Sequence, residues 1–227
     1  MILEKKDVPK IDPDSLPIEF RPLADKAKEI IELRSMYHAA VREISTKLEI
    51  LDDEFHVKND YNPIHHMECR VKSIQSTAEK VIRKNLEMNV DGVRAITDIA
   101  GVRVICNYTS DIYNIAEMLL RQDDIRLIRK KDYIAYPKES GYRSLHLVVT
   151  VPVFLSSKTE VLPVEIQIRT IAMDTWASLE HELKYKNNGT LTKEESEELR
   201  ACALAMADVD ERMERIHNKI DKGKGHE

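Results

Sequence analysis

Val164-Glu165-Ile166-Gln167-Ile168-Arg169 alternates apolar and polar side chains without a slip. Successive side chains of a β-strand leave on opposite faces, so Val164, Ile166 and Ile168 belong to a core and Glu165, Gln167 and Arg169 to a face that can carry chemistry. A second carboxylate stands before another strand pattern in Asp98-Ile99-Ala100-Gly101-Val102-Arg103, with a guanidinium just inside it. Two segments around them are cationic. From Glu68 to Lys84, Arg70, Lys72, Lys80, Arg83 and Lys84 face only Glu68 and Glu79, and from Arg121 to Arg143 seven cations face four anions. For any one lysine a solvated face is the ordinary explanation, and a half-exposed strand can simply meet water. Two carboxylates from different strand ends amid many cations instead suit Mg²⁺ carrying a polyphosphate, whose oxygens and waters complete the octahedron.

Lys138-Glu139-Ser140-Gly141-Tyr142-Arg143-Ser144-Leu145-His146 adds a tight loop, an aromatic ring and a strand start. A loop tyrosine is commonly a packing residue and a sheet histidine commonly a satisfied one; beside Lys138 and Gln167, Tyr142 is better read as a platform for a base. Six glycines, Gly92, Gly101, Gly141, Gly189, Gly223 and Gly225, form neither a G-x-G-x-x-G turn nor a P-loop. Any phosphate site here must rest on side-chain cations.

These groups need a sheet and helices to hold them. Four of the eight prolines fall in residues 1–22, which read as an arm. Ile30, Leu33, Tyr37, Ala40, Ile44, Leu48, Leu51 and Phe55 recur at spacings of three and four, predicting a long helix from Leu23 to about Phe55. A second helix is expected from about Lys72 to Met88, burying Ile74, Ala78, Val81 and Ile82 and turning a basic face outward. Val102–Tyr108, Ile125–Ile134, Arg143–Val151 and Val161–Arg169 read as strands, with a helix over Ser110–Arg121. Helical spacing returns over Ile171–Tyr185 and Thr192–Ile220, separated by Asn187-Asn188-Gly189. Leu199, Cys202, Met206, Val209, Met213, Ile216 and Ile220 make a heptad seam, which would pack on the long N-terminal helix or on other chains. The expected fold is α+β: a mixed central sheet of about four to five strands flanked by helices, with long helices at both ends.

The chain has 227 residues and a formal charge of -5, with 33% charged residues. That composition describes a soluble protein and argues weakly against a general DNA or RNA binder. Cys69, Cys106 and Cys202 are odd in number and widely spaced, so neither a disulfide framework nor a zinc module is indicated, and a cytoplasmic location is expected. No apolar run suits a membrane span or a signal peptide.

The segments Asp98–Arg103, Gly141–His146 and Val164–Thr170, in this order, resemble the synthetase domain of RelA/SpoT-type alarmone enzymes over about residues 60–187. The chain looks like a small alarmone synthetase, nearest the RelP branch. The resemblance implies a nucleotidyltransferase-like synthetase domain over 23–187, an oligomerisation helix over 190–221 and a tail over 222–227. The implied activity is that of a GTP diphosphokinase: the terminal pyrophosphate of ATP moves to the 3′-hydroxyl of GDP or GTP, giving ppGpp or pppGpp and AMP in the stringent response.

Position by position, the resemblance makes Arg70 and Arg103 an adenine sandwich and puts Lys72, Lys80 and Arg83 on ATP phosphates. Asp98 becomes a Mg²⁺ ligand, and Glu165 a metal ligand or the group that activates the 3′-hydroxyl. Tyr142 would stack on guanine, with Lys131, Lys138, His146 and Gln167 lining the acceptor's side. It leaves the contact of Asp174 open. The terminal helices would build a homotetramer, and synthesis would occur without hydrolysis, His65 and His66 being turn residues rather than relics of a hydrolase. Two rival readings remain: a polymerase-β-like nucleotidyltransferase, and a non-catalytic oligomer that binds nucleotide or single-stranded RNA.

Overall fold

The computed structural model describes residues 27–186 and 191–224. The proline-rich arm and the Asn187-Asn188-Gly189 stop therefore lie outside the described residues. Helix α1 (Ala27–Asn59) leads into strand β1 (Ile64–Val71), two short helices α2 (Ile74–Arg83) and α3 (Val90–Arg94), and strand β2 (Ala100–Cys106). Helix α4 (Thr109–Leu120) precedes strands β3 (Arg126–Asp132), β4 (Leu145–Phe154) and β5 (Thr159–Thr170), then helices α5 (Ile171–Lys186) and α6 (Lys193–Lys224). The five strands form one sheet in the order β1-β2-β5-β4-β3. Only the central pair β2/β5 is parallel. The fold is the mixed α+β sheet expected.

One face of the sheet is core. Val164, Ile166 and Ile168 are fully buried, as are Val104, Leu145, Leu147 and Val149, and α1 and α4 pack over them. Seven of the eight residues of the expected α1 stripe are buried, from Ile30 to Leu51, and Phe55 is half-buried where the helix reaches the sheet edge. The apolar period of α1 thus serves to close this face, leaving the opposite face to polar side chains.

Three expectations change. His65 and His66 belong to β1, not to a turn; this edge strand is exposed along most of its length, so it shows no apolar alternation to read. The second helix stops at Arg83 instead of Met88, because Asn85 takes φ 54°, in the left-handed region that ends a helix. Its start is set by Ser73, whose side chain accepts a hydrogen bond from the Ser76 N–H, so Lys72 lies in the bend before it. Ile82 is 54% exposed, the helix burying Thr77, Ala78 and Val81.

The C-terminal helix also turns differently from its heptad seam. Ala203 is buried against Trp176 and Ala177 of α5, with Leu199 and Met206 of the seam packed beside it, while Val209, Met213, Ile216 and Ile220 are about half exposed. Asp210 Oδ2 accepts from Thr170 Oγ1 at 2.7 Å, and Glu214 Oε1 from the Ser110 N–H at 2.9 Å. The helix therefore docks partly through polar groups.

Ala203 also closes on the loop between β3 and β4. Gly141 has φ 89°, and a Cβ there would lie 2.5 Å from Ala203 Cβ. Gly141→Ala is expected to cost about 2 to 4 kcal/mol, combining left-handed strain with overpacking. Thermal or urea unfolding checks this; a loss below about 1 kcal/mol would mean that the loop yields instead.

Candidate active site

Strand register gathers the polar residues into rows across the open face. One row runs Glu68, Arg103, Gln167, His146, Lys131 across β1, β2, β5, β4 and β3. The next runs Arg70, Gly101, Glu165, Val148, Arg129. Six residues singled out in sequence therefore converge by pairing alone: Arg70, Arg103, Glu165, Gln167, His146 and Lys131.

Arg70, Gly101, Arg103, Glu165 and Gln167 line a cleft with about 400 Å³ of empty volume, together with Glu68, Cys69 and Val102. Arg70 and Arg103 occupy diagonal positions of antiparallel strands, roughly 7–8 Å apart at the backbone, about twice a stacking contact. Gly101 lies between them without a side chain, and the Arg70 stem crosses it, with Cγ 3.6 Å from where a Cβ would sit. Arg103 Nη1 donates to Glu68 Oε2 at 3.0 Å and lies 3.6 Å from Asp174 Oδ1. Its Nε is buried without a hydrogen-bond partner.

Asp98 lies two residues before the start of β2. Its Oδ2 accepts from Lys80 and, at 3.4 Å, from Lys72, while Oδ1 is buried without a partner. Burial disfavours its charge, but the Lys80 hydrogen bond and the two ammonium charges outweigh that and hold the carboxyl below the usual aspartate range. A charged carboxylate with one oxygen left without a partner suits a hard cation, and the two lysines suit phosphate oxygens. Arg83, at the exposed end of α2, is not drawn into these contacts.

On the other side, Tyr142, Tyr133 and His146 meet edge to face, with centroids 5.3–5.9 Å apart. Lys138 Nζ lies 4.7 Å from the Tyr142 centroid and 4.8 Å from that of Tyr133. Burial, followed by the charges of Arg169, Lys138, Lys131 and Arg129, pushes the His146 pKa down to about 4, so this imidazole is neutral near pH 7.

Arg169 differs from its sequence reading. The alternation puts it on the chemical face, yet it is only 5% exposed, covered where the chain turns into α5. Asp174, on the first turn of α5, accepts from Arg169 Nη1 at 3.0 Å. No apolar period announces this burial, because the cover comes from an element that follows the strand.

A profile described as a region found in RelA / SpoT proteins matches residues 69–190, which contain all the residues of these rows except Glu68. GTP pyrophosphokinase YwaC of Bacillus subtilis is 43% identical over 187 residues, 82% of this chain and 89% of that protein. Among solved structures, small alarmone synthetase 2 of Bacillus subtilis is 44% identical at TM-score 0.75, covering 82% of this chain and 97% of that one. Small alarmone synthetase 1 of the same species, bound to its product pppGpp, is 36% identical at TM-score 0.77, covering 85% and 98%. Since the likeness runs through the sheet rows and the helices that frame them, the chain belongs to the RelA/SpoT family, among its small alarmone synthetases.

Proposed function

We infer that the chain is a GTP pyrophosphokinase that moves the β,γ-pyrophosphate of ATP to the 3′-hydroxyl of GDP or GTP. The observation that carries this is the pair of rows: donor-side arginines, a central glutamate and acceptor-side aromatic and cationic groups share one sheet face. The acceptor 3′-oxygen bonds to the β-phosphorus of ATP, the bond from that phosphorus to the α,β-bridging oxygen breaks, and AMP leaves with that oxygen. The 3′-hydroxyl proton passes to a base, for which Glu165 is placed centrally.

Arg70 and Arg103 sandwich the adenine, while Lys72 and Lys80, with Arg83 at the rim, meet its phosphates. Gln167 and His146 face the acceptor, and Lys131 and Lys138 its phosphates. Asp98 and Glu165 hold a divalent cation, which we take as Mg²⁺. Their hard oxygen donors and the unpartnered Oδ1 fit it, and no group of three or more acidic, histidine or cysteine ligands converges among the described residues, which leaves coordination to substrate oxygens and water. When bound, the ion neutralises charge developing on the transferred group.

The test is incubation with Mg²⁺, ATP and GDP, with products resolved by chromatography. Equal AMP and ppGpp are expected. Release of pyrophosphate would indicate nucleotidyl transfer, and absence of turnover a binding module.

A base on Tyr142 takes the place that Lys138 now occupies over the ring, freeing that ammonium for phosphate. Tyr142→Ala should therefore raise the acceptor KM about 10- to 100-fold and that of ATP by less than about threefold, since stacking contributes about 1–3 kcal/mol per base. An unchanged acceptor KM would reject the stacking role.

Val209, Met213, Ile216 and Ile220 form an exposed apolar stripe on α6, suited to contact with other copies. Light scattering is expected to give four times the 26.2 kDa chain mass; a stable monomer would reject the tetramer.

A further inference from the structure

Arg169 is a buried cation with four hydrogen-bond partners, of which one is a counter-charge and two belong to the acceptor side. Nη1 donates to Asp174 Oδ1 at 3.0 Å, Nη2 to Tyr142 Oη at 2.6 Å and to Gln167 Oε1 at 3.1 Å, and Nε to Ser144 Oγ at 3.4 Å. We propose that Arg169 is a positioning residue that dictates which atoms Tyr142, His146 and Gln167 present to the acceptor nucleotide and to Glu165. This rests on the functional reading above and goes beyond it.

Hydrogen-bond polarity sets this network. A guanidinium only donates, so every partner of Arg169 must turn an acceptor toward it. Gln167 therefore points its carbonyl oxygen at Arg169, which sends its amide nitrogen to Glu165 Oε2 at 3.0 Å. Tyr142 Oη uses a lone pair on Arg169, so its hydrogen is left for His146 Nε2, 2.8 Å away. His146 Nε2 is then an acceptor, and the neutral ring carries its proton on Nδ1. The lowered His146 pKa, caused by burial and then by Arg169, Lys138, Lys131 and Arg129, agrees with a neutral ring.

The consequence reaches both arms. Along one, Glu165 is held by an amide that cannot flip without facing the guanidinium with its NH₂. Along the other, the Tyr142 ring is pinned through its hydroxyl, and His146 becomes a donor through Nδ1. Asp174, which also lies 3.6 Å from Arg103, balances the buried charge that makes this possible. Ser144 Oγ, 3.3 Å from the Ile168 carbonyl, fixes the remaining edge.

The first readout needs no activity. In the nucleotide-free protein, ¹⁵N NMR of the histidine rings should find His146 as the neutral Nδ1–H tautomer near pH 7. Arg169→Met and Tyr142→Phe should each give a mixture of tautomers, and Arg169→Met should also raise the His146 pKa toward the usual histidine value. The second readout is kinetic. Arg169→Met should raise the acceptor KM and lower kcat, each by about tenfold or more, with the ATP KM changed less than about threefold. Tyr142→Phe should raise the acceptor KM with a smaller loss of kcat than Arg169→Met, because the Gln167 arm survives. If Arg169→Met fails to fold, Arg169→Gln replaces it, and the same direction of change is expected because a neutral amide offers an acceptor as well as donors and leaves Tyr142 and Gln167 free to turn either way. An unchanged His146 tautomer in both Tyr142→Phe and a folded Arg169 variant, or equal shifts in both KM values, would overturn the proposal. Absence of alarmone synthesis by the wild type would instead overturn the functional reading, with the NMR result still deciding the network.

Discussion

Glu165→Gln is expected to lower kcat for alarmone synthesis by about 10² to 10⁴-fold, the range for loss of a positioned general base. Its affinity for ATP should stay within a few-fold of wild type. The variant keeps size and shape, and its amide can turn an oxygen toward Gln167 Nε2, which now donates to Glu165 Oε2 at 3.0 Å. What disappears is the charge. Glu165 sits in the parallel register opposite Gly101 and across from Val148, so no neighbouring carboxylate in its row can substitute for it. Arg70 on β1 and Arg103 on β2, which we assign to the adenine, lie on either side of Gly101 and are untouched by the change. Single-turnover rates with calorimetric ATP titration separate the two effects. A kcat within tenfold of wild type would remove Glu165 from the chemical step.

The parts of this site that could be read from sequence are those in which one strand determines its own burial. Val164 to Arg169 alternates because both sheet faces act on the same strand, and the α1 stripe appears because one helix covers one face. β1 was invisible for the opposite reason: an edge strand needs no apolar period, and His65 to Arg70 are chosen for its rim rather than for a core. Arg169 shows where periodicity misleads. Its parity is right, but its burial depends on α5 and on Asp174, five residues farther along. The C-terminal helix misleads differently, since its docked side includes Asp210 and Glu214, whose carboxylates are satisfied by Thr170 and Ser110. The first part of the apolar seam, Leu199 and Met206, packs against α5, and Val209, Met213, Ile216 and Ile220 are left exposed. The rows across five strands follow from register, which motif order along the chain does not contain.

Asp98→Asn is expected to act in opposite directions on catalysis and on metal-free ATP binding. With divalent cation present, synthesis should fall on the order of 100-fold or more, because a carboxylate ligand worth several kcal/mol of charge stabilisation is lost. The metal concentration for half-maximal rate should rise at the same time. Without divalent cation, the variant should bind ATP more tightly than wild type. Asp98 Oδ2 now occupies Lys72 and Lys80, whose side chains are only 20% and 18% exposed, and it competes with phosphate for both. A neutral amide releases them while leaving two cations close together, a pair that gains from an anion between them. The wild-type carboxyl lies below the ordinary aspartate range, since the cations outweigh its burial, so protonation does not relieve this competition near pH 7. Calorimetry in chelator and kinetics against metal concentration measure the two halves. Weaker metal-free ATP binding by Asp98→Asn would show that the carboxylate orients the lysines for phosphate rather than competing with it, and unchanged metal dependence would remove Asp98 from the metal site.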